Sequence, residues 1–75
     1  MTAMVDVSSA LVDMTRAGEN YVRGKLTWSQ YQDVRRTYLE QPDLVVAMLK
    51  EDRKSPEFLA YTAAMTAARI KHDRG

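Results

Sequence analysis

The sequence has no cysteine, one histidine and no long apolar run. Without thiols there are no disulfide bonds, and one imidazole is too small a ligand set for a zinc site. We therefore expect no metal and no cofactor. The first fourteen residues lack the basic segment and long apolar stretch of a signal peptide or membrane span, so the expected location is cytoplasmic.

Charge of a single sign is also missing from the sequence. Eleven basic and ten acidic residues are interleaved, for a net charge of +1, so neither nucleic acid nor an anionic membrane is favoured as a partner. Hydrophobic residues make up 45% and charged residues 28%, which is ordinary for a folded chain. The length of 75 residues predicts a single small domain, residues 1–75.

The small size of the domain limits its core. A chain of this length buries only about 60% of the surface that it exposes when unfolded. Disulfides and zinc are excluded as supplements, so self-association or a protein partner is the remaining way to add buried surface.

The first stretch of the chain predicts one amphipathic helix, over residues 3–22, because apolar residues recur there at helical spacing. Val5 and Val12 lie off the apolar stripe, seven residues apart. They are either single exposed valines, which are common, or the edge of a second contact surface. Gly24 is expected to follow the helix end in a left-handed conformation.

The second helix is predicted over residues 27–40. Thr27 and Gln30 have the spacing of a capping box, and Trp28, Tyr31 and Tyr38 belong to its apolar face.

Arg35 falls inside that apolar face, within reach of the rings of Tyr31 and Tyr38. Its side chain either lies along the aromatic surface or pairs with a carboxylate such as Asp43 or Glu57. In the functional interpretation, Arg35 is instead an anchor for an acidic partner.

The stretch from Gly24 to Leu39, GKLTWSQYQDVRRTYL, resembles the SHOCT-type short helical hairpin. The shared pattern is a glycine, a leucine, a threonine cap, an amide residue, an aromatic residue and a later basic residue. Trp28 and Tyr38 depart from it. The resemblance implies a role in oligomerisation or binding, although SHOCT segments are usually terminal and here two further helices are predicted to follow.

Two more helices are predicted over residues 43–52 and 56–72. Pro42 interrupts the chain before the first of them, and Ser55 and Pro56 form a helix start before the second. The stretch from Leu44 to Leu49 is apolar on all sides, so it either fills the centre of the bundle or exposes one side to a second copy. Together these predictions give an all-α fold, a small bundle of about four helices.

The last helix carries two apolar stripes about 120° apart on the helical wheel. One stripe can pack in the bundle, whereas the other needs either a second neighbouring helix or a partner. The first stripe consists of Phe58, Tyr61, Met65 and Ala68; the other, called the second stripe below, consists of Leu59, Ala63, Thr66 and Ile70.

No catalytic constellation is found in the sequence, so we expect no enzyme activity and no catalytic residue. His72, near the chain end, is expected to be a surface residue in a fraying turn. The preferred hypothesis is a small regulatory protein-interaction module, an adaptor, inhibitor or assembly factor that also forms a homodimer. The expected contact residues are Leu59, Ala63, Thr66 and Ile70, then Val5, Val12 and Arg35.

The alternative is a DNA-binding helix-turn-helix built from residues 43–52 and 56–72. Lys50, Arg53 and Lys54 would then lie near the DNA backbone. Against it, the early positions of the last helix offer no Arg, Asn or Gln for reading bases, and Glu57 would face phosphate. A membrane-surface role is the least favoured, because no helix combines a strongly basic face with a bulky apolar one.

Overall fold

The computed structural model describes residues 6–75, which fold into four helices. These are α1 (Val7–Val22), α2 (Trp28–Leu39), α3 (Pro42–Leu49) and α4 (Pro56–Arg74). No strand occurs in this part of the chain. The predicted small all-α bundle of four helices is therefore confirmed.

The start of α1 is set by Asp6, which has an extended backbone and caps the helix. Its carboxylate accepts hydrogen bonds from the amide and the hydroxyl of Ser9, at 3.1 and 2.8 Å. Because the cap residue itself is not helical, α1 begins at Val7, and the predicted start at residue 3 is wrong where it includes Asp6. Residues 3–5 of that prediction lie outside the described residues.

The connection between α1 and α2 follows the predicted pattern. Gly24 has φ +81°, its amide donates to the carbonyl of Tyr21 at 3.0 Å, and Lys25 donates to Asn20 at 2.8 Å. These two bonds form a Schellman motif, which satisfies carbonyls at the end of α1. Both hydrogen bonds of the capping box that opens α2 are present. The amide of Thr27 donates to Oε1 of Gln30 at 2.9 Å, and the amide of Gln30 donates to Oγ1 of Thr27 at 3.1 Å.

The predicted end of α3 at residue 52 is wrong, because the helix ends at Leu49. The amide of Lys50 donates to Ala47, three residues back, which tightens the last turn. The carboxylate of Asp52 then accepts from the amide of Lys54 at 2.9 Å. This local bond gives the backbone an alternative to the helix, which explains the early end.

Helix α3 does not fill the centre of the bundle but exposes one of its apolar sides, which was the other of the two alternatives predicted for Leu44 to Leu49. Leu44 is buried, whereas Val46 and Leu49 are 50% and 67% exposed. An apolar surface therefore remains on the outside of the bundle at this helix.

Helix α4 runs two residues beyond its predicted end at His72, to Arg74. Its last turn is held by contacts with the first half of the chain. The Lys71 amine donates to the carbonyl of Tyr21 at 2.6 Å, and the His72 ring stacks on Trp28 with 3.8 Å between centroids. The expectation that this turn frays is not supported by these contacts.

The core lies mainly between α1 and α4, the helix pair with the most extensive contact. Gly18 makes this contact close: a Cβ atom placed there would lie 3.3 Å from the Cβ of Ala64. Tyr61 and Ala68 of the first stripe are buried against the bundle, as predicted. The buried apolar residues are Ala10, Leu11, Met14, Ala17, Tyr21, Tyr31, Leu44, Tyr61, Ala64 and Ala68.

Candidate functional site

A cleft of about 270 Å³ lies between α2 and α4. It is called the α2–α4 cleft below. Two arginines and one glutamine contribute polar groups, two further residues carry a hydroxyl, and the remaining surface is aromatic or aliphatic. Its lining consists of Trp28, Tyr31, Gln32 and Arg35 of α2 with Met65, Thr66, Arg69 and Ile70 of α4.

Arg35 is half-buried in this cleft. Its guanidinium carbon lies 5.8 Å from the centroid of the Tyr31 ring, which confirms that the side chain lies along the aromatic surface. The alternative pairing with Asp43 or Glu57 is wrong, because no carboxylate within residues 6–75 lies at ion-pair distance from Arg35.

The hydrogen bonds of Arg35 leave much of its donor capacity unused. Nη1 donates to Oε1 of Gln32 at 3.2 Å, and Nη2 approaches Sδ of Met65 at 3.7 Å. A thioether sulfur is a weak acceptor. The buried Nε atom has no acceptor among the residues that the structure describes.

Tyr31 forms the floor of the cleft and is almost completely buried, at 2% exposure. Burial raises the pKa of its hydroxyl, while the positive charge of Arg35 acts in the opposite direction. The phenol is therefore neutral at physiological pH, and the only formal charges that line the cleft are those of the two arginines.

Arg69 provides the second positive charge at the cleft. It is largely exposed, and its Nε atom lies 3.6 Å from Oδ2 of Asp73. An ion pair of this kind contributes little free energy in water, so Arg69 can exchange Asp73 for another carboxylate at low cost. Asp73 itself does not line the cleft.

Trp28 forms one wall of the cleft, and its contact with His72 was not predicted. The two rings are nearly parallel, with 9° between their planes, and Trp28 also meets Tyr21 and Tyr31 edge to face. These contacts join the start of α2 to the end of α4. Nothing local in the sequence indicates a pairing between residues so far apart in the chain.

The second stripe lies on the exposed side of α4. Leu59 and Ile70 are 56% and 47% exposed, and Ala63 and Thr66 are also exposed. Thr66 and Ile70 in addition form the rim of the α2–α4 cleft, together with Arg35. The structure thus brings three of the predicted contact residues to one site, while Leu59 and Ala63 lie outside the cleft on the same helix.

Val12, predicted as a possible edge of a second contact surface, is not part of this site. Val12 is 40% exposed and lines a separate shallow groove between α1 and the first turns of α4, which it shares with Arg16 and Glu57. Val5 lies outside the described residues.

Within residues 6–75, no group of acidic, histidine or cysteine side chains is arranged to hold a metal ion. No helix in the same range is both long and apolar enough to cross a membrane. What the α2–α4 cleft offers is two cationic donors beside an apolar wall, an arrangement that suits binding of an anionic group attached to an apolar one.

A scan against protein-family models, a search of curated proteins and a search of solved structures each returned no match. The resemblance of residues 24–39 to a SHOCT-type hairpin therefore stays a prediction.

Proposed function

We propose that the protein is a small, non-enzymatic interaction module that forms a homodimer through the second stripe of α4. The observation that carries this proposal is the exposure of that stripe. Leu59 and Ile70 are about half exposed on a helix whose opposite face, with Tyr61 and Ala68, is buried in the bundle. Large exposed apolar side chains aligned on one helix face mark contact surfaces more often than scattered ones do.

The order of residues in the second stripe suits pairing with an antiparallel copy of itself. Its members are separated by four, three and four positions, so the pattern reads the same in both directions. When two copies of α4 lie antiparallel, Leu59 faces Ile70 of the second copy and Ala63 faces Thr66 of the second copy. This contact is self-complementary, as a two-fold symmetric dimer requires.

Side-chain size supports the same arrangement. Ala63 and Thr66 are small and lie at the middle of the pattern, so two helices can approach closely there, while Leu59 and Ile70 supply the apolar area at both ends. Antiparallel helices also place the positive end of one dipole beside the negative end of the other. The small core of the domain adds a reason for dimerisation, since a second copy buries surface that one chain leaves exposed.

Sedimentation equilibrium of the wild type, Leu59→Asp and Leu49→Asp tests the proposal. Leu59 belongs to the second stripe but not to the α2–α4 cleft, and Leu49 is an equally apolar, more exposed residue of α3. We expect the wild type and Leu49→Asp to be dimers and Leu59→Asp to be a monomer, because the carboxylate is desolvated only in the proposed interface. A monomeric wild type at high micromolar concentration would contradict the proposal, as would equal behaviour of the two variants.

The proposal extends to the biological setting of the module. An adaptor, inhibitor or assembly factor in the cytoplasm fits a chain that offers exposed apolar and cationic surface on one helix.

Circular dichroism of Leu59→Asp and Leu49→Asp should match that of the wild type, since the two leucines are on the outside of the bundle. This measurement separates loss of association from loss of folding.

The helix-turn-helix alternative has less support. The connection between α3 and α4 covers residues 50–55, six residues, which is longer than the turn of about three to four residues typical of the motif. The first turn of α4 also carries Glu57. A mobility shift on random duplex DNA that weakens with salt would favour this alternative, and no binding at low salt would exclude it.

A further inference from the structure

We propose that the α2–α4 cleft binds a segment of a partner protein in which a carboxylate lies beside a bulky apolar side chain, with Arg35 as the anchor for the carboxylate. The cleft shares Thr66 and Ile70 with the second stripe, but its anchor Arg35 and its wall residue Trp28 belong to α2, outside the dimer contact. The proposal therefore goes beyond self-association and does not depend on it.

The charges that line the cleft favour an anionic occupant. Arg35 and Arg69 line the cleft and no carboxylate does. Within the described range, the only carboxylate paired with either arginine is that of Asp73, with Arg69 at the exposed end. The net charge of the whole chain is only +1, so this local concentration of positive charge is a feature of the cleft and not of the surface in general.

Part of the guanidinium group of Arg35 lacks a strong hydrogen-bond acceptor. One of its two end nitrogens approaches the weakly accepting sulfur of Met65, at 3.7 Å, and Nε has no acceptor within residues 6–75. A carboxylate is the acceptor that the planar guanidinium binds most strongly, through two parallel bonds. A partner carboxylate would replace the sulfur contact, while Gln32 can continue to hold the other nitrogen in place.

The cleft is small, and much of its lining is apolar. Its volume of about 270 Å³ is slightly below the range of about 300–1,000 Å³ typical of small-molecule sites. Trp28, Met65 and Ile70 form apolar walls that one bulky side chain can fill. A peptide segment supplies such a side chain and a neighbouring carboxylate at once. A nucleic-acid strand would need a longer basic track than two arginines provide.

Trp28 allows the binding to be measured directly, because it is the only tryptophan of the chain and lines the cleft. The probe is a pentapeptide of sequence Gly-Glu-Phe-Glu-Gly, acetylated and amidated at its ends. The control peptide has glutamine in place of both glutamates. We expect saturable change of the tryptophan emission with the acidic peptide, weaker at high salt, and binding about tenfold or more weaker for the glutamine peptide.

Arg35→Met and Arg36→Met separate the anchor from general charge. Both remove one positive charge from neighbouring positions of α2, but Arg36 is exposed, pairs with Asp33 and does not line the cleft. We expect Arg35→Met to weaken binding of the acidic peptide about tenfold or more and Arg36→Met to leave it nearly unchanged. Arg35→Lys should bind with intermediate affinity, because lysine keeps the charge and loses the planar fork.

Three results would overturn the proposal: no saturable response of either the wild type or Leu59→Asp up to millimolar acidic peptide, equal effects of Arg35→Met and Arg36→Met, or tighter Arg35-dependent binding of a short single-stranded DNA. Circular dichroism checks that Arg35→Met remains folded, and Arg35→Lys serves if it does not. Leu59→Asp should keep the peptide response. A monomeric wild type that binds the peptide would refute only the dimer. Because the dimer contact includes Thr66 and Ile70 of the cleft, failure of the monomeric Leu59→Asp variant to bind the peptide is the result that would refute only the cleft.

Discussion

Asp6 shows how one side chain sets the start of a helix and makes it sensitive to pH. The hydroxyl of Ser9, and then its amide, lower the pKa of the Asp6 carboxyl from the ordinary value of 3.8. The pKa in the folded state is therefore below that in the unfolded state, so the stabilisation is complete above the ordinary value. It is lost as the pH falls through the lowered one.

Comparison of the wild type with Asp6→Asn isolates this contribution. Asparagine is as good a cap as aspartate but does not titrate, so α1 should keep its start at every pH. We expect the difference in unfolding free energy between wild type and variant to be constant above about pH 5 and to shift in favour of the variant below pH 3.8. Urea denaturation across this range measures the difference, which would stay constant if the cap were not linked to proton binding.

At the scale of elements, Lys71 connects the ends of two helices. Its amine donates to the carbonyl oxygens of Tyr21 and Val22 at 2.6 and 3.4 Å and lies 4.6 Å from the centre of the Tyr21 ring. Lys71 lies in the last turn of α4, where a positive charge complements the negative end of its own helix. In the structure it also satisfies carbonyls at the end of α1, which explains why α4 stays ordered through its last turn.

Lys71→Met should therefore lower the free energy of unfolding by about 1 kcal/mol, since methionine keeps the apolar stem and loses both the hydrogen bonds and the cation–π contact. Arg69→Met is the matched control two residues away. Its ion pair with Asp73 is exposed, so we expect a change below about 0.5 kcal/mol. Chemical denaturation measures both. Similar losses in the two variants would mean that the contact of Lys71 with α1 contributes no more than a surface charge.

The sequence predicted elements well wherever the determining contacts are local. Thr27, Gln30 and Gly24 identify the connection between α1 and α2 because caps depend on residues three or four positions apart. The end of α3 was missed because the helical pattern continues through Lys50, while Asp52 bonds to a backbone amide instead. The helical spacing of residues gives no information about this competing hydrogen bond.

The candidate site was predicted only in part for the same reason. Arg35 was found from its spacing to Tyr31 on one helix, and Thr66 and Ile70 were found from their stripe on another. That the two helices approach each other and enclose a cleft with Met65 and Arg69 is a tertiary property. Helical wheels treat each helix alone, so they cannot indicate which faces of two helices meet.

At the scale of the whole molecule, the packing of α4 explains why one chain leaves surface uncovered. α1 covers one side of α4, and Gly18 lets the two helices approach to within contact of Ala64. The second stripe lies on the other side, where the described part of the chain places no helix over Leu59. If a second copy covers this side, association and folding must be linked, because the dimer contains only folded chains.

The melting temperature of the wild type should consequently rise with protein concentration, whereas that of Leu59→Asp should not. Each 1 kcal/mol of added stability shifts the melting temperature of a domain of this size by about 4–8 °C, so a hundredfold increase in concentration should raise it by several degrees. Leu49→Asp should keep the concentration dependence, because α3 is outside the proposed contact. Calorimetry at low and high concentration measures these shifts. A wild type that is dimeric in sedimentation but has the same melting temperature at every concentration would contradict this expectation. It would show that the core of the monomer stabilises the fold without the second copy, despite its small size.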